Sequence, residues 1–323
     1  VSVVTPFHNT APYLRECIDS VLAQTHANFE YVLVDNESSD GSSEIAADYV
    51  GRDERVRLIR TGRLLTQVEN YNHALAQIAD DAGYCKMCQA DDWLYPRCLE
   101  DLVRLAEAHP EVSVVSSYYL RESEVMNTGL HPSVSVLTGS AACRLHLMQG
   151  VFLFGTPTTV LYRADVVRSR RPFFETGRLH EDTEAVMDIL RTRDFGFVHQ
   201  ILSFSRMQAE SITGRNRDLL PEALDRTIVV RRFGPAFLDA AEHRACWDNA
   251  RQQYYQSLAR RWLRGLLRRG RRDFWDYQRR GLATVGEKVD GPRLARAIAK
   301  VIARGLLNPI GALDAIKRMT RGA

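Results

Sequence analysis

Apolar residues follow two alternating rhythms over the first ninety positions. Short runs rich in β-branched and aromatic residues, at 1–5, 29–34, 55–60 and 83–88, have the length and make-up of strands. Between the first two, Leu14, Cys17, Ile18, Val21 and Leu22 fall at i, i+3, i+4, i+7 and i+8, which places them on one face of a helix that Thr10 and Pro12 start. Further helices are predicted over 43–50 and 67–79. Four alternations of strand and helix predict an α/β fold, a mainly parallel sheet with helices on both faces. Pro6 reads as the stop of the first strand.

The second half of the chain is less regular. A fifth strand is expected over 111–119, a loop over 122–138, and a short helix after Thr138 that ends near Gly150. Strands follow at 156–163 and 197–204. A helix opens at His180-Glu181-Asp182-Thr183-Glu184 and carries Val186, Ile189 and Leu190. After Asp218 the pattern is helical, with breaks expected at Gly234-Pro235, Gly291-Pro292 and Asn308-Pro309. The division expected is therefore an α/β domain over 1–215 and a mainly helical region over 216–323.

With 323 residues, 45% hydrophobic and a net charge of +3, the chain has the make-up of a globular protein. The charge is uneven: positions 251–280 hold ten arginines against Asp273 and Asp276. Six scattered cysteines argue against a disulfide framework and for a reducing, cytoplasmic compartment. Cys85 and Cys88 have redox or zinc spacing, but no second pair follows them. No apolar run reaches membrane-spanning length, and no signal peptide is visible. The sequence starts at Val1, inside a strand pattern and without Met, so a trimmed N-terminus is expected.

Open α/β sheets bind ligands at the carboxyl ends of their strands. Three polar clusters lie there: Pro6 to Asn9, Asp35 to Asp40, and Gln89-Ala90-Asp91-Asp92. His8 can stack on a base and Asn9 can shape the turn. Asp35 or Asn36 can accept from the N3–H of a uracil ring, and Asn36 can also donate to its carbonyl. The same residues fit ordinary strand-to-helix turns, and Asp91 or Asp92 fits a cap on the helix after Pro96. No G-x-G-x-x-G follows the first strand, and no P-loop is present.

Taken as a set, the stretches Val1 to Asn9, Ser20 to Thr25, Val34 to Ser42 and Gln89 to Trp93 resemble the family-2 glycosyltransferases of GT-A fold over about the first 115 residues. The resemblance implies a nucleotide-sugar donor, held by Pro6, His8, Asn9, Asp35, Asn36, Glu37, Gln89 and Ala90. It also implies a divalent metal (Mg²⁺ or Mn²⁺) on Asp91 and Asp92, and inverting transfer to a hydroxyl. The Glu181-Asp182 pair matches the family's catalytic carboxylates, with Asp182 in the place of the base. Arg206 is a candidate phosphate donor. Two positions depart from the pattern: Gln89 stands where the acidic run usually begins with Asp, and Gln208 where a His is expected.

The donor expected is a UDP-sugar and the acceptor a glycan or a lipid-linked sugar. Trp262, Leu263, Leu266 and Leu267 alternate with arginines, which fits peripheral contact with a membrane surface and equally fits solvated helices packed on the rest of the chain. No nucleic-acid reader motif is present. A sugar nucleotidyltransferase and a non-catalytic nucleotide-sugar-binding scaffold are the alternatives.

Overall fold

The computed structural model describes residues 1–177, 180–207, 219–266 and 272–307. The chain divides into two compact units, Val1–Gln208 and Ala209–Ala323. The boundary expected at 215/216 lies outside the described residues, as do Gln208, Leu267 and Asn308-Pro309.

The first unit is built on one sheet. In chain order its strands are β1 (Ser2–Phe7), β2 (Glu30–Asp35), β3 (Val56–Arg60), β4 (Tyr84–Met87), β5 (Trp93–Leu94), β6 (Val112–Arg121), β7 (Glu124–Met126), β8 (Val136–Leu137), β9 (Leu161–Arg163) and β10 (Asp194–Ser205). The spatial order is β3-β2-β1-β4-β9-β6-β10-β5. The strands from β3 to β4 run parallel, as do β6 and β10. The short β9 joins the two parallel sets by pairing antiparallel with both β4 and β6.

Pro6 does not stop β1. The strand continues through it, pairing Pro6 with Val34 and Phe7 with Asp35. Val4 O accepts from Cys88 N on the β4 side, and Phe7 O accepts from Asn36 N on the β2 side. Alternation puts the nitrogen of Pro6 on the β4 side, where pairing has already ended at Val4 and Met87. The missing N–H therefore falls where the β1–β4 ladder ends.

Helix α1 (Ala11–Leu22) buries Leu14, Cys17, Ile18 and Val21 as its spacing predicts. These pack with Val3, Tyr31 and Leu33 of the sheet and with Leu99 and Leu102 of α4 (Cys98–Ala108). Helix α2 spans Ser42–Val50. Helix α3 (Gln67–Leu75) starts on a Thr66/Glu69 capping box and ends four residues before the position expected. The segment expected as loop, 122–138, supplies β7 and β8. Helix α5 (Gly139–Arg144) passes into a π-helical turn, Leu145–Gln149, and is followed by α6 (Ala164–Ser169) and α7 (Glu181–Ile189).

Of the strand expected over 156–163 only Leu161–Arg163 forms. Thr156 to Thr159 make a turn instead, closed by Thr159 N donating to Thr156 O at 2.8 Å. Gly155 precedes it at φ +70°, where a Cβ would lie 2.6 Å from Thr159 Cβ. Glycine is therefore required there on two counts.

The second unit is helical: α8 (Pro221–Phe237), α9 (Ala240–Leu266), α10 (Arg272–Ala283) and α11 (Gly291–Leu307). Neither described Gly-Pro pair breaks a helix. Pro235 lies inside α8 and forfeits one bond to the carbonyl four residues back, a loss confined to the last turn, and Pro292 sits in the first turn of α11, where the N–H has no intrahelical partner. Leu224, Ile228, Val230, Phe233, Tyr254, Leu258 and Phe274 form this unit's core. Tyr254 OH donates to Gln278 Oε1 at 2.9 Å inside it. Trp262 remains 38% exposed. No helix among the described residues is long and apolar enough to cross a membrane.

Candidate active site

The loops after β1 and β2 are stitched together. His8 Nδ1 donates to Asn36 O at 2.7 Å, which fixes the tautomer and leaves Nε2 to accept from Asn9 Nδ2 at 3.2 Å. Asn9 sits at φ +52°, a conformation asparagine tolerates. Its side-chain oxygen accepts from Ser39 N at 2.8 Å, and its own N–H donates to Ser38 Oγ at 3.1 Å. Glu37 takes the second left-handed position, at φ +60°. Asp35, at the end of β2, accepts from Ser38 N at 2.9 Å.

Asn36 departs from the expected role. It is 3% exposed, and its amide is engaged with the backbone of Leu65. A side chain so placed shapes the loop at 61–65 and does not offer its amide to a base.

The run Gln89-Ala90-Asp91-Asp92 forms a tight turn, closed by Asp92 N donating to Gln89 O at 3.0 Å. Ala90 is buried within it. Gln89 Nε2 donates to Tyr71 OH at 2.7 Å. Asp92, expected as a second metal ligand, is 3% exposed and turns inward. Its Oδ2 accepts from Thr158 Oγ1 at 2.6 Å and its Oδ1 from Arg206 N at 3.0 Å. Burial, with the neighbouring charge of Asp91, pushes its carboxyl up to about 7 against those hydrogen bonds. Asp92 thus anchors the turn. Asp91 stays partly exposed; burial raises its carboxyl while the Arg206 charge opposes the rise.

Arg206, at the end of β10, is held by protein groups. Its Nε donates to Asp91 O at 3.2 Å, and a terminal nitrogen donates to the Glu16 carboxylate at 2.7 Å. The guanidinium lies 4.7 Å from the Tyr13 ring centroid and 5.3 Å from that of Trp93, which itself stacks on Phe204. Both its fork and its faces are therefore in use.

Glu181 and Asp182 open α7. Thr183 N donates to Asp182 Oδ1 at 2.6 Å. Burial, followed by the charge of Asp182, lifts the Glu181 carboxyl to about 7. Tyr71 links this helix to the acidic turn: burial raises its hydroxyl well above the ordinary value, bonds from Gln67 and Gln89 oppose that, and the charges of Asp91 and Glu181 both add to it. Tyr119 likewise feels Asp182 and Asp92. Charges 90 residues apart in sequence, Asp91 and Glu181, thus both act on the Tyr71 hydroxyl.

A protein-family model described as glycosyl transferase family 2 matches residues 2–171. The chain belongs to glycosyl transferase family 2. Glycosyltransferase GlyG of Streptococcus pneumoniae is 31% identical over 121 residues, 37% of this chain and 39% of that protein. The putative glycosyltransferase EpsH of Bacillus subtilis is 26% identical over 231 residues, 69% of this chain and 65% of that protein. The match to GlyG thus spans about two-fifths of that relative's length, 39%.

Among solved structures, S. aureus TarS 1–349 in complex with UDP-GlcNAc superposes with a TM-score of 0.61 at 16% identity, covering 88% of this chain and 80% of that one. The mannosyltransferase PcManGT of Pyrobaculum calidifontis, in complex with GDP-Man and Mn²⁺, gives 0.56 at 14%, covering 98% and 83%. The family-2 chain therefore has the GT-A fold, with a helical C-terminal region.

Among the described residues no group of three or more His, Cys, Asp or Glu side chains converges as a cage. Asp91 would offer one hard oxygen ligand, which suits Mg²⁺ or Mn²⁺. The thiols of Cys85 and Cys88 are buried, and Cys88 Sγ lies 3.6 Å from Cys17 Sγ.

Sequence reasoning missed Tyr71, Thr158, Lys86 and Glu16. Lys86 gave a signal, a charged residue inside a buried strand pattern. The other three lie in ordinary helix or strand patterns.

Proposed function

We propose that this chain is a metal-dependent, inverting glycosyltransferase that moves a sugar from a nucleoside diphosphate donor, a UDP-sugar, to a hydroxyl of a glycan or lipid-linked acceptor. The observation that carries the reading is the common environment of Asp91 and Glu181 around Tyr71. The charges of both act on the Tyr71 hydroxyl, which supports an arrangement with a leaving group on one side and a base on the other.

In this reading Pro6, His8, Asn9, Asp35 and Glu37 border the nucleoside, with Asn36 holding the neighbouring loop. Gln89 and Ala90 face the ribose and sugar, an amide taking the place of a carboxylate. Asp91 holds the divalent ion together with the diphosphate. When bound, that ion offsets the charge growing on the departing diphosphate. Arg206 keeps the Asp91 carbonyl in place and adds positive charge beside it. Asp182 accepts the proton of the attacking hydroxyl as the new bond to the anomeric carbon forms, and direct attack inverts that carbon. No enzyme nucleophile is needed. The arginine-rich helices support action at the cytoplasmic face of a membrane, on a lipid-linked acceptor.

The test is calorimetric titration with uridine, guanosine and thymidine diphosphates, with Mn²⁺ or with chelator, on wild type, Asp91→Ala and Asp182→Asn. Metal-dependent binding of one diphosphate, lost in Asp91→Ala and kept in Asp182→Asn, is expected. Asp182→Asn should at the same time lose transfer by about 10²- to 10⁴-fold, the usual worth of a general base. Binding that ignores Asp91, or release of pyrophosphate from a nucleoside triphosphate, would overturn the reading.

A further inference from the structure

Thr158 occupies an unusual place for a residue so far in sequence from the acidic turn. It is fully buried, at 0% exposure, in the turn that Gly155 introduces. Its hydroxyl makes two bonds to the ends of the run Gln89 to Asp92: Oγ1 accepts from Gln89 N at 3.0 Å and donates to Asp92 Oδ2 at 2.6 Å. Because the oxygen already accepts from an amide, its single proton is directed to the carboxylate. One hydroxyl therefore spans the turn from its first backbone N–H to its last side chain, with Asp91 between them.

The other face of Thr158 is secured as well. Lys86, at 0% exposure in β4, sends its ammonium to Thr158 O and Val160 O. Burial lowers the pKa of this lysine. Two carbonyls form a costly setting for an amine, since no carboxylate in hydrogen-bond contact compensates the lost hydration among the bonds described. The cost is understandable if what it fixes is the 156–160 turn. Asp92 closes the arrangement through Oδ1, which accepts from Arg206 N at 3.0 Å.

We propose that Thr158 is a positioning residue for the donor site: tethered by Lys86, it sets the shape of the Gln89–Asp92 turn and thereby the direction in which Asp91 presents its carboxylate. Thr158 touches neither ion nor substrate in this account. It acts through Asp92 and Gln89, and the inference rests on the donor-site reading of Asp91 given above.

The experiment follows binding of uridine diphosphate by calorimetry while Mn²⁺ is varied, for wild type, Thr158→Val, Thr158→Ser and Lys86→Met. Valine keeps the shape and removes the hydroxyl; serine keeps the hydroxyl. Thr158→Val should need about tenfold more Mn²⁺ for half-maximal binding, the scale of one lost hydrogen bond to a charged group. Thr158→Ser should lie within about twofold of wild type, since it restores that bond. Lys86→Met should move in the same direction as valine, and supplies the answer if Thr158→Val does not fold. Melting in chelator reports stability separately, and a purely structural role would shift it without altering the Mn²⁺ requirement of the folded protein. Wild-type metal dependence in both Thr158→Val and Lys86→Met, or a serine variant as impaired as valine, would overturn the inference alone. Failure of wild type to bind any diphosphate would overturn the donor-site reading, and the inference with it.

Discussion

Asn36 grips Leu65 through both ends of its amide: Nδ2 donates to Leu65 O at 3.0 Å, and Oδ1 accepts from Leu65 N at 2.7 Å. The pair fastens the segment after β3 to the end of β2. Only an amide can donate and accept in this way at one residue. Replacement by Asp keeps the acceptor and loses the donor, leaving a buried carboxylate against a carbonyl. Asn36→Asp is expected to cost about 1–3 kcal/mol in urea unfolding, and to weaken uridine diphosphate binding through the displaced loop. An Asp variant as stable as wild type would show that the clamp is not formed in solution.

Arg206 and Glu16 form a second such pair, at 2.7 Å, with the guanidinium also on Asp91 O and over two rings. Lysine has neither the planar fork nor the stacking face. Arg206→Lys should weaken Mn²⁺-dependent nucleotide binding several-fold, and Glu16→Gln should do so less, because the ion pair is partly exposed. A double-mutant cycle measured by calorimetry checks the coupling. Strictly additive effects would mean that Glu16 does not act through Arg206.

Glu181 makes stability depend on pH. Its carboxyl, lifted by burial and then by Asp182 from the ordinary 4.5 to about 7, holds in the folded state a proton that the unfolded chain releases. Between those two values the folded state binds more protons, so stability is fullest below the lower one and declines as pH rises through the upper one. The decline attributable to this group is at most roughly 3 kcal/mol. Glu181→Gln removes it. The variant should gain stability over wild type at about pH 8 and lose that gain near pH 4, in urea melts with chelator present. An equal difference at both pH values would show that Glu181 ionises normally.

The sheet and α1 were legible because hydrophobic period and strand-end chemistry agree over the first ninety residues. Leu14, Cys17, Ile18 and Val21 are all buried as their spacing predicts. The acidic turn was legible as a polar cluster at a strand end, but the different settings of its two carboxylates were not. Asp91 and Asp92 are chemically identical in the sequence, and the hydroxyls of Thr158 and Ser205 with the Arg206 amide, all remote in sequence, turn one of them inward. Asn36 misled for the same reason: its partner Leu65 is an ordinary backbone unit with no sequence signature. The 156–163 segment read as strand because threonine and valine favour extended structure, whereas Gly155 at φ +70° and the bond from Thr159 N to Thr156 O curl its first half. Pro6 and Pro292 show the complementary error: at a strand position where pairing ends and in a first helical turn, the proline nitrogen is not needed.

The ladder between β1 and β4 stops at Val4 and Met87, and the next backbone nitrogen on that side is that of Pro6. Any other residue there would present an N–H able to bond Cys88 O and carry the zipper one rung onward, drawing the start of the acidic turn against β1. Proline makes that rung unavailable. The two central strands thus part at a position written into covalent structure, one that no side-chain rearrangement can move.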